Sequence, residues 1–157
     1  MEKVPRLSTR LLAGAVVLCV SLSSGLATTA AQTFQFSDYP SPATLSVRPS
    51  GPDDAKAPAS WAAVNPIVKD VIRDDIAKNG PNFAGAYYLA TVGCGSGCEA
   101  IFVIDLYDGA VFEAPVSATN GVLFQPDSQL IIVRENAVYE LPRKYLTFDG
   151  ALFGELN

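Results

Sequence analysis

The sequence predicts an α+β fold: one N-terminal amphipathic helix packed on an antiparallel β-meander of about seven short strands. Three observations carry that expectation. The segment from Asn65 to Pro81 repeats apolar residues at helical spacing, between a capping residue and a stop signal. After Phe83 the pattern changes to short β-favouring runs separated by turn residues. Several of those runs are joined by tight turns, two of them Asp–Gly pairs, so neighbours in sequence should be antiparallel neighbours in space.

The N-terminal third is set apart first. "MEKVPRLSTR" carries three bases against one acid, "LLAGAVVLCV" is uncharged, and "SLSSGLATTAAQ" is small and weakly polar. That order is the pattern of a secretory signal peptide over residues 1–31, with cleavage after Ala31 or Ala30. The uncharged run is long enough to span a bilayer, but its second half is too weakly apolar for a stable span, so none is expected after cleavage. Cys19 is preceded by Leu18 rather than a small residue, which argues against lipidation; it reads as a small hydrophobe of the apolar region. Residues 32–60 then form an extended Pro/Ser-rich lead-in, with "ATLSV" as a short edge strand. Residues 61–157 are of single-domain length and are expected to fold as one α+β domain.

Within that domain, Asn65 is the expected N-cap and Pro66 the first helical residue, where a missing N–H costs nothing. Ile67, Val68, Val71, Ile72 and Ile76 form the expected apolar face, and Lys69, Asp70, Arg73, Asp74 and Lys78 the solvated one. Gly80 and Pro81 stop the helix. "GAYYLATV" reads as a strand, and "EAIFVIDL" as a central strand buried on both faces. Asp108–Gly109 supplies a hairpin turn, "AVFEAPV" returns, and "GVLFQP" leads through a turn at Asp127–Ser128 into "QLIIVRE". "AVYELP" and "KYLTFDGALFGEL" close the series, the latter with a second Asp–Gly hairpin at Asp149–Gly150.

Charge and composition narrow the chemistry. The chain has 11 Lys and Arg, 16 Asp and Glu, and no histidine. Loss of the signal peptide would leave 8 bases and 15 acids, a net charge of −7. Such a surface repels phosphate backbones, so no nucleic-acid partner is expected, while a basic protein partner is compatible with it. Without histidine the usual Ser-His-Asp and Cys-His catalytic sets and His-ligated zinc are excluded.

The most distinctive stretch is "ATVGCGSGCEA", Ala90–Ala100. Two thiols without histidine fall short of the four ligands of structural zinc. No Lys-Ser/Thr and no helix follow, so the glycines are not a phosphate cradle. In an exported chain the remaining cysteines, Cys94 and Cys98, pair by count. The flexible Gly95–Ser96–Gly97 spacer lets the chain turn back far enough to close the bond. A structural disulfide and a redox-active pair both remain open. The three-residue spacer, the strand flanks and the neighbouring Glu99 all argue against the low thiol pKa of a redox pair. Other clusters are weaker. Asp105, Asp108 and Glu113 lack calcium-loop spacing. Phe83, Tyr87, Tyr88 and Phe102 suit a core or cross-strand pairs better than a ligand groove, and Asp70, Asp74 and Asp75 fit surface ion pairs on the helix.

From Gly80 to Phe112 the sequence resembles a family of small exported bacterial proteins with a "GPNFAG-x-Y" segment, a "GCG-x-x-C" loop and an "IDL-x-x-G" hairpin; the likeness extends over roughly Asn65 to Val133. It departs at Ala86 and Val92, where the family pattern places a polar residue and a tryptophan. The family has no established activity, so the resemblance implies export and a single domain and assigns no catalytic residue.

The function expected from these readings is a periplasmic or extracellular protein-binding or inhibitor-type module. Its surface would be the Cys94–Cys98 tip, with Gly93, Gly95, Ser96 and Gly97, and with Pro81, Asn82 and Phe83 beside it. No catalytic residue, metal or cofactor is assigned. The alternatives are a thiol–disulfide oxidoreductase using Cys94 and Cys98, and a structural envelope component.

Overall fold

The apolar run at the centre of the sequence becomes the central strand of the molecule. The computed structural model describes residues 33–134, except 43, 45 and 47, and residues 143–157. The predicted signal peptide, the edge strand expected at 43–47 and the strand expected at 137–142 fall wholly or partly outside them. The described residues belong to one compact unit, Gln32–Asn157. Two 3-10 turns, Phe36–Asp38 and Asp54–Lys56, precede helix α1 (Ala59–Ala62) and helix α2 (Pro66–Asn79). Among the described residues seven strands follow: β1 (Tyr87–Gly95), β2 (Cys98–Asp105), β3 (Val111–Glu113), β4 (Val122–Leu123), β5 (Leu130–Arg134), β6 (Arg143–Phe148) and β7 (Phe153–Leu156).

The chain is α+β, but its strands do not form the single meander expected from the sequence. They form two antiparallel sheets, β1-β2-β3 and β4-β5-β6-β7. The break comes after Glu113. Ala114 still donates to Ile101 at 2.9 Å, but Pro115 has no N–H for a ladder, and the chain leaves the first sheet. It touches that sheet once more, through paired Glu99 and Ala118 at 2.8 and 2.9 Å, before β4 opens the second.

Strand β2 explains why two sheets are needed. Ile101 and Val103 point to one side and pack with Ile131, Val133, Leu146 and Phe148 of the second sheet. Phe102 and Ile104 point to the other and pack with Trp61, Ile72 and Ile76 of the helices. All four β2 residues are at most 1% exposed. A strand apolar on both faces must be covered on both. The helices cover one side and the second sheet the other, with the Trp61 ring edge-on to Phe102 at 5.1 Å.

Helix α2 has the local signals the sequence carries. The Asn65 side chain accepts from Ile67 N–H at 2.9 Å, Pro66 opens the helix, and Gly80 ends it at φ 73°. Its buried face, however, is not the expected one. Ile72 and Ile76 are buried, but Ile67 is 71% and Val71 63% exposed, while Lys69 is only 7% exposed. The inward line runs 69–72–76, at spacings of three and four, and it passes through a lysine. That is tolerable because the ammonium meets Asp54 at 3.1 Å and lies 5.4 Å over the Trp61 ring. Asp54 also accepts from the Trp61 indole N–H at 2.8 Å and pairs with Arg73 at 3.5 Å.

The lead-in is therefore stitched to the domain. Ser50 N–H donates to Leu106 and Asp53 N–H to Gly109, both at 2.8 Å. Further up the chain, the single Ser128 hydroxyl proton is shared between the Phe36 and Tyr39 carbonyls, each 2.9 Å away, and the Phe34 ring meets Tyr145 at 4.9 Å. At Gly109, φ is 79° and an added Cβ would stand 2.5 Å from the Gly51 carbonyl, so the hairpin glycine also lets the lead-in pass.

Two outcomes follow. Asp54→Ala leaves a buried ammonium without its counter-ion and should cost about 2 kcal/mol in urea unfolding; a loss under about 0.5 kcal/mol would show that the cluster is incidental. The second concerns pH. The Lys69 hydrogen bond holds the Asp54 carboxyl below its ordinary range, and the Tyr88 hydroxyl does the same for Asp75. Depressed carboxylates add stability above their unfolded pKa, about 4, which is lost as pH falls through the folded values. Burial, then the Asp75 hydrogen bond, pushes the Tyr88 phenol upward. That contribution is present below about pH 10 and is lost as pH rises above it. Tyr88→Phe should shrink both losses, read as unfolding midpoints across pH 2–11.

Candidate functional site

Strands β1 and β2 form one long hairpin whose two ends differ. In the lower half Tyr88 pairs with Ile104 and Ala90 with Phe102, between the two cores. In the upper half, Val92 faces Ala100 and Gly93 faces Glu99, and a bulge then precedes the Gly95–Cys98 pair. Every residue from Gly93 to Gly97 is exposed.

The tip turns at Ser96–Gly97. Gly95 has φ 141° and Gly97 φ 67°, conformations that L side chains rarely adopt, so these two glycines make the turn. The turn brings the Cα atoms of Cys94 and Cys98 to 5.2 Å, and the two are disulfide-bonded. Both cysteines lie on strands, without the helix N-terminus that lowers a thiol pKa. In this position the bond closes a turn already joined by the ladder beneath it.

The structure separates the residues that the sequence reading placed together. Cys94, Cys98, Gly93, Gly95, Ser96 and Gly97 share the tip. Pro81, Asn82 and Phe83 lie at the other end of β1. Phe83 is 0% exposed and belongs to the inter-sheet core. Asn82 holds both backbone groups of Leu89, donating to its carbonyl at 3.1 Å and accepting from its N–H at 2.7 Å. Six residues of strand, roughly 20 Å, separate Leu89 from Gly95. "PNFAG" is thus a turn that starts β1: Phe83 and Tyr87 exchange hydrogen bonds at 3.0 Å, around Ala84 at φ 43° and Gly85 at φ 73°.

A groove beside the tip has no counterpart in the sequence reading. It lies between the α1–α2 corner and the upper half of the hairpin, with a volume of about 890 Å³. Val64 and Val68 form one wall, Val92, Ala100 and Phe102 the floor, and Cys94 closes the tip end. Glu113 lines the far end, where it accepts a hydrogen bond from the Ser60 hydroxyl. Val68 lies off the inward 69–72–76 line of α2 and lines the groove instead of filling the core. Val68 is left 36% exposed, with Ile67 and Val71 exposed beside it. Hydropathy shows these residues as apolar but not which way the helix is rotated.

The carboxylates at the β2–β3 turn are occupied. Asp105 accepts from Tyr107 N–H at 2.7 Å, and Asp108 accepts from Ala110 N–H at 2.9 Å and Lys56 at 3.1 Å. Among the described residues no group of three or more Cys, Asp or Glu is placed to hold a metal ion, and no helix is long and apolar enough to cross a membrane. No family model, curated protein or solved structure matches the chain.

Because the ladder continues below the tip, opening the disulfide should loosen the tip and leave the domain folded. Closing so small a loop removes unfolded-chain entropy worth about 2 kcal/mol. The double variant Cys94→Ser, Cys98→Ser should therefore lose no more than about that amount. It should still unfold in one transition, with amide exchange raised only near residues 93–99. Loss of the folded near-ultraviolet circular dichroism signal would show that the bond holds the fold.

Proposed function

We propose that the protein is an exported protein-binding or inhibitor-type module, acting in the periplasm or outside the cell through the upper half of the β1–β2 hairpin. The observation that carries the reading is the apolar groove beside an exposed, disulfide-closed tip. Recognition surfaces combine concave apolar area with a rigid rim, because rigidity lowers the ordering cost of binding. Here Val64, Val92, Ala100 and Phe102 supply the first and the Cys94–Cys98 turn the second. Exposed Ile67, Val68 and Val71 extend the apolar area onto the face of α2. Export is supported by the charge and hydropathy pattern of residues 1–31, and a disulfide is compatible with it. The acidic surface favours a basic partner.

Immobilised protein should retain a partner from cell-envelope extract at low salt and release it at high salt. Val68→Asp places a charge in the groove wall without touching either core. It should cut capture at least fivefold while leaving the melting temperature within about 2 °C. Retention of no salt-sensitive partner, or equal capture by the variant, would overturn the reading.

A further inference from the structure

Strand β1 leaves part of its outer edge open. Asn82 holds both Leu89 backbone groups, so that residue turns them away from β2. Glu99, opposite Gly93, likewise turns its own backbone away from β1, to Ala118 at 2.8 and 2.9 Å. By the alternation of an antiparallel ladder, the odd-numbered residues of β1 direct N–H and C=O outward. Phe83 covers Tyr87 and Asn82 covers Leu89. Among the described residues nothing covers the outward groups of Thr91 and Gly93, and both residues are exposed.

Gly93 borders the bulge before the Gly95–Cys98 pair, yet its own backbone angle does not require glycine. Gly95 and Gly97 have positive φ, but Gly93 does not, and an added Cβ would meet nothing within 4 Å. Glycine inside a strand costs about 0.5–1 kcal/mol relative to alanine. It often marks a place where another backbone or a ligand comes close. On the side of the sheet that Gly93 leaves bare stands Glu99, half-buried, with its Oε2 shielded and without a hydrogen-bond partner. On the opposite side, Val92 faces the groove. From Asn79 to Val133 the chain carries five carboxylates and no Lys or Arg, and among the described residues Glu99 Oε2 has no hydrogen-bond partner.

We propose that the edge at Thr91–Gly93 accepts an extended basic-apolar peptide segment as an added antiparallel strand. The inference rests on the protein-binding reading and names the partner's chemistry. Thr91 and Gly93 supply four outward backbone groups to it. Adjacent strands lie about 4.8 Å apart, which puts the added strand roughly 10 Å from Glu99 with β1 between them. A Lys or Arg opposite Gly93 spans that distance because no side chain stands in the way, and the Glu99 carboxyl turns to meet it. The next residue of the peptide points to the other face, where its apolar side chain enters the groove beside Val92. Main-chain bonds then supply affinity, and alternate side chains supply specificity.

The test uses three blocked heptapeptides: alternating Val and Lys, alternating Val and Glu, and an N-methylated version of the first that cannot form the ladder. In NMR titration the Val/Lys peptide should shift the Thr91 and Gly93 amides, and the other two should not. Gly93→Val fills the bare position, where an added Cβ meets nothing within 4 Å. It should leave the melting temperature unchanged or higher and weaken binding at least tenfold; Glu99→Gln should weaken it at least threefold. Absence of binding, equal binding of the Val/Glu peptide, shifts centred elsewhere, or unchanged affinity in Gly93→Val would each overturn the proposal. So would a dimer that Thr91→Pro dissociates, since the edge would then belong to a second copy. If envelope capture responds to Val68→Asp while the peptides stay silent, the binding module stands and strand addition falls. If both are silent, both fall.

Discussion

The structure depends on one strand being apolar on both faces. Ile101 and Val103 serve the inter-sheet core, and Phe102 and Ile104 the helix-side core. A strand of this kind creates a register problem. Where one face is polar, a one-residue slip exposes hydrophobes and is rejected. Where both are apolar, the slip exposes little, and register must come from the strand's ends. In β2 both ends are pinned. The Cys94–Cys98 bond and the Ser96–Gly97 turn hold one. The Asp105–Gly109 turn holds the other, where Gly109 N–H donates to Asp105 at 2.8 Å. The disulfide thus contributes specificity of pairing beyond its small entropic term.

Local features of the fold could be read from the sequence, and relations between distant segments could not. Asn65, Pro66 and Gly80 act through their own backbone neighbours, so the ends of α2 follow from three residues. Asp108–Gly109 and Asp149–Gly150 turn at positive φ for the same reason. The rotation of α2 is different. It is decided by Asp54 and Trp61, which lie eight or more positions before Lys69 and give its ammonium a place to go. A hydropathy wheel counts Lys69 as polar and turns it outward. The division into two sheets was hidden for a related reason. Tight hairpins predict pairing between successive strands; Pro115 ends the first ladder locally, but nothing near it states that a second sheet follows.

The site shows the same division. The cysteine tip was visible because its glycines and thiols are contiguous. "PNFAG" enters the sequence reading through a family resemblance, as a surface beside the tip, but its residues have internal work: Phe83 fills the core, and Asn82 covers the Leu89 backbone. The groove assembles residues from α1, α2, β1, β2 and β3, and no contiguous motif could announce it. Gly93 looked like one member of a glycine run. Only the backbone angles separate it from Gly95 and Gly97, which the turn requires.

That separation bears on why the hairpin extends beyond its sheet. Val92 and Ala100 still touch the helix-side core and Glu99 pairs with Ala118, but beyond them the hairpin is a two-stranded ribbon, which is marginal by itself in water. Its upper half is half-buried at best and carries a glycine that weakens it. The cost is bearable because the tip is closed covalently and the lower half is held by two cores. An edge strand left open also invites unwanted pairing, and proteins usually blunt such edges. This chain does so at Tyr87 and Leu89, through Phe83 and Asn82, and stops two residues short. Among the described residues the opening left on the outer edge of β1 is Thr91 and Gly93, too short to template long sheet growth. With carboxylates on both faces, Glu99 and Glu113, it also selects against another acidic strand. An edge capped everywhere except beside an apolar groove is what selective strand addition requires, and on the proposed reading the disulfide keeps that short opening in register with the groove.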